Sequence, residues 1–314
     1  MAAQTLRPGY LAIYTNLASL DPSSLHHEAH GIPLPHPADI LAENLKKLRS
    51  SYKAVFDKKD ISTPNFIEPL DHVKSFIYSI DEFYDSLPLI VKCFTPSGEQ
   101  ENHDIGKWLK QIKSPLYLSL LDSISLPHSD FRKMANKLKH AHAEVALARV
   151  SNHKGRDLQG FYIRVSTGKD DQRGPAPDIH KTYKKSVSTA FSYNHILLRS
   201  AGHIFSTLHH LNRIIFNGAR PKSSVRHEDL YEILNMASEV EEVFFPDEYL
   251  RPYAKVERHK ESIKIEYPFR YRKRPNENFD NIQSANSSLP FNPRTSMSHA
   301  IVPYLPLLYP ETQK

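Results

Sequence analysis

Apolar residues recur at spacings of three and four along most of the chain up to about residue 240. After Pro37, the residues Ile40, Leu41, Leu45, Leu48, Tyr52 and Val55 share one stripe. This spacing predicts a helix capped by Asp39 and ending near Lys58. A Ser-Thr-Pro-Asn break at 62–65 separates it from a second, broader stripe. That stripe carries Phe66, Ile67, Leu70, Val73, Phe76, Ile77, Ile80, Phe83, Tyr84 and Leu87, with Pro69 early and Pro88 as a kink. A third helical region starts near Ile105, resumes after Pro115, and is expected to stop at Pro127. Ser129 then reads as the N-cap of a helix that presents Phe131, Met134, Ala135 and Leu138 to a core. The longest helix is predicted from about Ile179 to Phe216, and a shorter acidic one from about Glu228 to Phe244. Histidines on the long helix, among them His195, His203, His209 and His210, are expected to be hydrogen-bonded core or boundary residues.

Between the last two long helical stretches the period changes from 3.6 to two. Val145, Leu147 and Arg149 alternate on one side of an Asn-His-Lys-Gly turn signal, and Phe161, Ile163 and Val165 on the other. This is the pattern of a β-hairpin near 144–166, with Gly160 a candidate bulge. "SIKIEYPF", at 262–269, reads as a short strand. The polar loop "TGKDDQRGPAPD" contains Gly-Lys-Asp but lacks the upstream glycine of a phosphate-binding loop. The expected organisation is an irregular N-terminal arm at 1–37, a helical domain at 38–267, and a basic segment with a disordered tail at 268–314. Within that tail "IVPYLPLLYP" is the one stretch apolar enough to dock.

Composition narrows the classes. The chain has 314 residues, 39% of them hydrophobic, a formal charge of +6 and eighteen histidines. A net positive charge suits a polyanionic partner without demanding one. Cys93 is the only cysteine, which excludes an intramolecular disulfide and a cysteine-built zinc site. The histidines of "HHEAHGIPLPHP", at 26–37, sit three apart rather than four and run into prolines, so a solvated loop is expected there and no metal. The first residues lack the basic start and apolar stretch of a signal peptide, and no run is long enough to span a membrane, so a cytoplasmic location is expected. No cofactor is implied.

The stretch "DFRKMANKLKHAHAEV", at 130–145, holds the candidate chemistry. At about 100° per residue, Arg132, Asn136, His140 and Glu144 form an i, i+4, i+8, i+12 ladder away from the core stripe, if the helix runs that far. One reading is a solvated face with an Arg-to-Glu balance. The other comes from resemblance. "NKLKH", the strand "GFYIRV" and the long helix after Asp178 together resemble the HEPN superfamily of helical bundles, over roughly residues 38–216. The resemblance implies a mainly α fold, an HEPN-like bundle with one inserted β-hairpin, and a homodimer whose cleft binds RNA, a nucleotide or a protein partner. Such proteins serve in defence or toxin-type systems. For members that are metal-independent endoribonucleases it further implies His140 as general base, Arg132 as phosphate clamp and Asn136 as an orienting group. A neutral imidazole can take the proton of a ribose 2′-hydroxyl, and a guanidinium can hold the phosphate without a metal. The chain departs from the pattern: seven residues separate Arg132 from His140, and the residue at the shorter family spacing is Lys133. Lysine offers a point charge instead of a planar fork, which weighs against catalysis and leaves the bundle untouched. A purely structural oligomerisation protein is the third reading.

Overall fold

The structure is a computed structural model that describes residues 4–7, 11–59, 70–98, 104–140, 142–151, 157–166, 173–184, 187–219, 225, 227–270, 281–285, 301, 303 and 304. Phe66, Ile67, Pro69, the Asn-His-Lys-Gly turn at 152–155, Gly168 to Asp170 and most of the basic cluster at 270–275 lie outside the described residues.

The fold is mainly helical with two small sheets. Helix α2 (Pro37–Phe56) and helix α3 (Asp71–Lys92) pack side by side, and helix α5 (Pro115–His140) packs on α3. Helix α6 (Tyr193–Phe216) closes the group against α5 and α2. The apolar stripes meet where the pattern places them: Leu41, Leu45, Leu48, Tyr52 and Val55 of α2 and Val73, Phe76, Ile77, Ile80, Phe83 and Tyr84 of α3 are all buried. Pro37 occupies the first turn of α2, and His36 rather than Asp39 caps it, its ring accepting from Ala38 N. The short helices α1 (Ala12–Ala18), α4 (Ile105–Gln111) and α7 (Asp229–Ala237) fill the periphery.

The hairpin forms where the alternation places it. Strands β2 (Glu144–Ser151) and β3 (Asp157–Ser166) pair antiparallel, with Val145 opposite Ile163 and Leu147 opposite Phe161. Because side chains alternate, Val145, Phe161 and Ile163 join the main core, whereas Ala146, Ala148, Val150, Leu158 and Tyr162 build a second, smaller one on the far face. Gly160 is not a bulge. It lies where strand β5 (Phe191–Ser192) crosses β3, and a Cβ there would fall 2.0 Å from the carbonyl oxygen of Phe191. Strands β4 (Arg173–Pro175) and β8 (Asn281–Ala285) complete this sheet in the order β4-β3-β2-β8, with β5 pairing β3.

Further expectations are corrected. The fold holds more than one hairpin: β6 (Tyr253–His259) and β7 (Ser262–Phe269) form a second, joined by β1 (Gln4–Leu6) in a sheet of order β1-β7-β6. The first 37 residues are not an irregular arm, since β1 pairs with β7 and Ile13 and Leu17 of α1 are buried. Asn16 Nδ2 donates to Asn212 Oδ1 at 2.9 Å, and His30 is buried with Nε2 3.0 Å from Lys92 O, so His27 and His30 are packed while Glu28, Ala29 and residues 31–33 of the same segment stay exposed. Pro127 does not end a helix: α5 runs through it, and Ser129 lies inside. A proline there removes one N–H and crowds the carbonyl four residues back. Burial of Tyr117, Leu120 and Ile124 before it and of Phe131 and Met134 after it holds both halves in line. Lastly, α6 begins at Tyr193, not near Ile179. Ser192 caps it, its Oγ accepting from His195 N at 3.1 Å. The buried Glu248 carboxylate takes Ser192 N at 3.0 Å and Ser192 Oγ at 2.5 Å, while β5 commits the preceding residues to the sheet.

Candidate functional site

Helix α5 ends at His140, so Glu144 belongs to β2 and the ladder has three members. They do not converge. Asn136 and His140 are exposed, whereas Arg132 is turned against α3. Asp81 and Asp85 lie one turn apart on α3, and His128 and Arg132 one turn apart on α5, so the two pairs face each other. Arg132 Nε donates to Asp81 Oδ1 at 2.7 Å, and Arg132 also bonds Asp85 Oδ1. His128 Nε2 lies 3.5 Å from a carboxylate oxygen of each aspartate, and its ring stacks on Tyr84 with centroids 5.2 Å apart. Burial pushes the Asp81 carboxyl up, but the His128 hydrogen bond and the Arg132 charge and hydrogen bond outweigh it and hold the group below its ordinary value. Two carboxylates thus occupy the guanidinium fork that a phosphate clamp would need. A cleft of about 660 Å³ opens beside this cluster, between α3, α4 and α5.

The other flank of α5 is different. A cleft of about 460 Å³ lies between α5, α6 and the segment leading into β6. Four cations line it, Lys133, Lys181, Arg199 and Arg251, against two carboxylates, Asp130 and Asp178. Arg199 pairs with Asp130, Asp178 accepts Lys137 at 3.0 Å, and Arg251 is held from behind by the buried Asp247 at 2.7 Å. Lys133 and Lys181 are exposed and enter no ion pair among the described residues. Their charge is therefore not balanced within the cleft.

Met134 and Phe191, both buried, give the cleft an apolar floor, and Leu126 stands 80% exposed at its rim. His203 lies at one wall with its ring nitrogens 3.0 Å from the Tyr267 hydroxyl, and burial and then Arg199 push its pKa down to about 3. It stays neutral and adds no positive charge at pH 7. Glu248 ties the walls together: it anchors the start of α6 through Ser192 N, and its carboxylate also accepts Phe245 N at 3.0 Å. Burial and the adjacent Asp247 raise the Glu248 carboxyl, against the Ser192 hydrogen bonds that lower it.

Sequence reasoning singled out Lys133 only as a departure from a motif and did not reach Lys181, Arg199 or Arg251 as a group. They come from separate elements, and nothing in their spacing joins them. Asp81 and Asp85 did leave a trace, being an i, i+4 acid pair at the edge of an apolar stripe. Among the described residues no group of three or more His, Cys, Asp or Glu side chains is placed to hold a metal ion.

No protein-family model, curated protein or solved structure matches this chain. The fold defines a mainly helical protein with two small β-sheets. No helix among the described residues is long and apolar enough to cross a membrane.

Proposed function

We propose that this protein is an HEPN-like helical module that binds single-stranded RNA through the basic cleft between α5 and α6. One observation carries the reading: four cations meet two carboxylates in a cleft with an apolar floor, and Lys133 and Lys181 have no acidic partner among the described residues. Lysine and arginine side chains at a groove attract a phosphate backbone and release its counterions. An apolar floor beside them suits an unstacked base, the usual pairing of charge and stacking surface in single-strand binding. The neutral His203 and the half-buried Arg199, paired with Asp130, fix the shape, while the exposed lysines supply the charge.

The ribonuclease alternative uses His140 as base and Arg132 as clamp. It requires Arg132 to leave Asp81 and Asp85, which makes it the weaker reading of this site. Dimerisation belongs to the same resemblance and is tested alongside.

The test is fluorescence anisotropy with a labelled single-stranded RNA over a range of salt. The wild-type chain should bind, with affinity falling as salt rises. Lys133→Glu with Lys181→Glu should weaken binding at least tenfold and flatten the log–log salt slope by about 1.4, the share of two phosphate contacts on a single strand. Arg132→Ala should leave affinity nearly unchanged. Equal binding by wild type and the double variant removes the cleft from consideration. Chelator-resistant RNA cleavage that disappears in His140→Ala restores the ribonuclease reading. Light scattering of the same samples reports whether the chain pairs.

A further inference from the structure

The cleft between α5 and α6 carries a definite surplus of charge. Asp130 and Lys133 face it from α5, and Arg199 and His203 from α6. Asp178 and Lys181 come from the segment after β4, and Arg251 from the one leading into β6. Four cations against two carboxylates leave two positive charges. Partners behind the lining do not alter that difference, since Lys137 stands behind Asp178 at 3.0 Å and Asp247 behind Arg251 at 2.7 Å, one charge of each sign. His203 is the only lining residue of a type that ordinarily changes charge between pH 5 and 8. Burial, followed by Arg199, holds it down at about 3. His180, whose ring centroid lies 4.8 Å from that of Phe191, and His195 are also lowered by burial first and then by these arginines. Glu248 has its oxygens committed to Ser192 and Phe245 and does not line the cleft. The surplus is therefore fixed from pH 5 to pH 7.

The arginines also keep donors to spare. Arg199 commits Nη2 to Asp130 and turns Nε toward His203 Nε2 at 3.4 Å, which leaves Nη1. Arg251 commits Nη2 to Asp247 Oδ2 at 2.7 Å, which leaves Nε and Nη1. None of these remaining nitrogens has a partner among the described residues. Asp247 is itself fixed, because its other oxygen accepts from the Tyr304 hydroxyl at 2.5 Å. Tyr304 falls in the stretch expected to be tail. It is fully buried in the smaller core instead, with its ring centroid 5.1 Å from that of Phe245. A chain of bonds from that core thus sets Arg251 in place before any ligand arrives, which lowers the ordering cost of binding.

We propose that this cleft reads the phosphorylated end of a single-stranded RNA, taking a terminal phosphomonoester among Lys133, Lys181, Arg199 and Arg251. This rests on the basic-cleft reading above and adds which part of the strand is bound. A phosphomonoester carries about two negative charges at pH 7, with a second pKa of about 6, and offers three strong acceptor oxygens. An internal phosphodiester carries a single charge. The surplus of two therefore matches the end of a strand better than its middle. Size agrees: about 460 Å³ lies low in the range of small-ligand sites, about 300–1,000 Å³. That is room for an end and not for a length of strand. The floor of Met134 and Phe191 lies beneath the terminal base.

The test uses the full chain, fixed salt and labelled RNAs of one sequence. A 5′-phosphate RNA and its 5′-hydroxyl twin carry the label at the 3′ end, and a 3′-phosphate RNA and its 3′-hydroxyl twin carry it at the 5′ end. At least one phosphorylated RNA should bind tenfold or more tightly than its twin at pH 7, and the pair that shows it identifies the end that is read. Lys133→Gln with Lys181→Gln, both at exposed positions, should cut that advantage to less than threefold. The advantage should also shrink several-fold from pH 7 to pH 5, as the phosphate takes up its second proton. A histidine that read the phosphate by becoming protonated would give the opposite slope. Equal affinity within both pairs overturns the proposal and leaves the basic-cleft reading standing, whereas no binding by any of the RNAs overturns both. A full advantage in the double variant overturns it too, since the end is then read elsewhere, as does an advantage that grows toward pH 5.

Discussion

Replacing Arg132 by alanine should destabilise the protein by about 1.5–3 kcal/mol. The substitution removes the guanidinium from Asp81 and Asp85. Asp81 is the costly partner, since its side chain is only 4% exposed. Breaking a fully buried ion pair by deleting one member costs about 3–5 kcal/mol. Two features lower that figure here. Arg132 is itself 38% exposed, so water reaches the vacated space. His128 also stays within 3.5 Å of Asp81 and can supply a hydrogen bond. A solvated position would give no more than about 0.5 kcal/mol, the value expected for Asn136→Ala and His140→Ala on the same helix. The assay is urea unfolding followed by circular dichroism at pH 7, with the three variants beside wild type. The pH dependence adds a check with a definite sign. A carboxyl held below its ordinary value stabilises the fold above the unfolded-state value, near pH 4, and loses that contribution as pH falls through the folded-state value. The gap between wild type and Arg132→Ala should therefore be fully present at pH 6 and shrink below pH 4. An Arg132→Ala chain as stable as wild type at pH 7 would refute the pairing with α3 and return the residue to an open face.

Two further substitutions test the frame around the cleft. Gly160→Ala places a methyl group 2.0 Å from a backbone oxygen that cannot rotate away, so it should cost about 3 kcal/mol, the upper end of ordinary overpacking, measured as a fall in the urea midpoint. Glu248→Ala strands Ser192 N, Ser192 Oγ and Phe245 N in a buried site. At about 1–3 kcal/mol for each buried unsatisfied group, with relaxation and water entry recovering part, the net loss should be at least about 3 kcal/mol. Amide exchange at the first turn of α6 should rise sharply in that variant, and an unchanged rate would mean that Glu248 does not hold the helix start.

Local pattern was enough for the elements whose hydrogen bonds close within a few residues. The α2 stripe from Leu41 to Val55 and the core face of α5, Phe131, Met134 and Ala135, lie where a 3.6-residue period puts them. Alternation also fixed which residues of β2 and β3 face the main core, since a slip by one residue would send Phe161 and Ile163 to the wrong face. The HEPN resemblance rests on the short sequence match alone. Tertiary contact decided the rest. A proline that ordinarily ends a helix sits within α5 because packing on both sides outweighs one lost bond. The stretch from Ile179 carries a helical stripe but becomes bridge and strand, because β3 and Glu248 offer its backbone better partners. Arg132 reads as surface until Asp81, fifty-one residues earlier, is brought against it. Tyr304 reads as tail until the pocket beneath it exists. Periodicity records which face of an element is apolar, but not which distant carboxylate, sheet edge or cavity that face will meet.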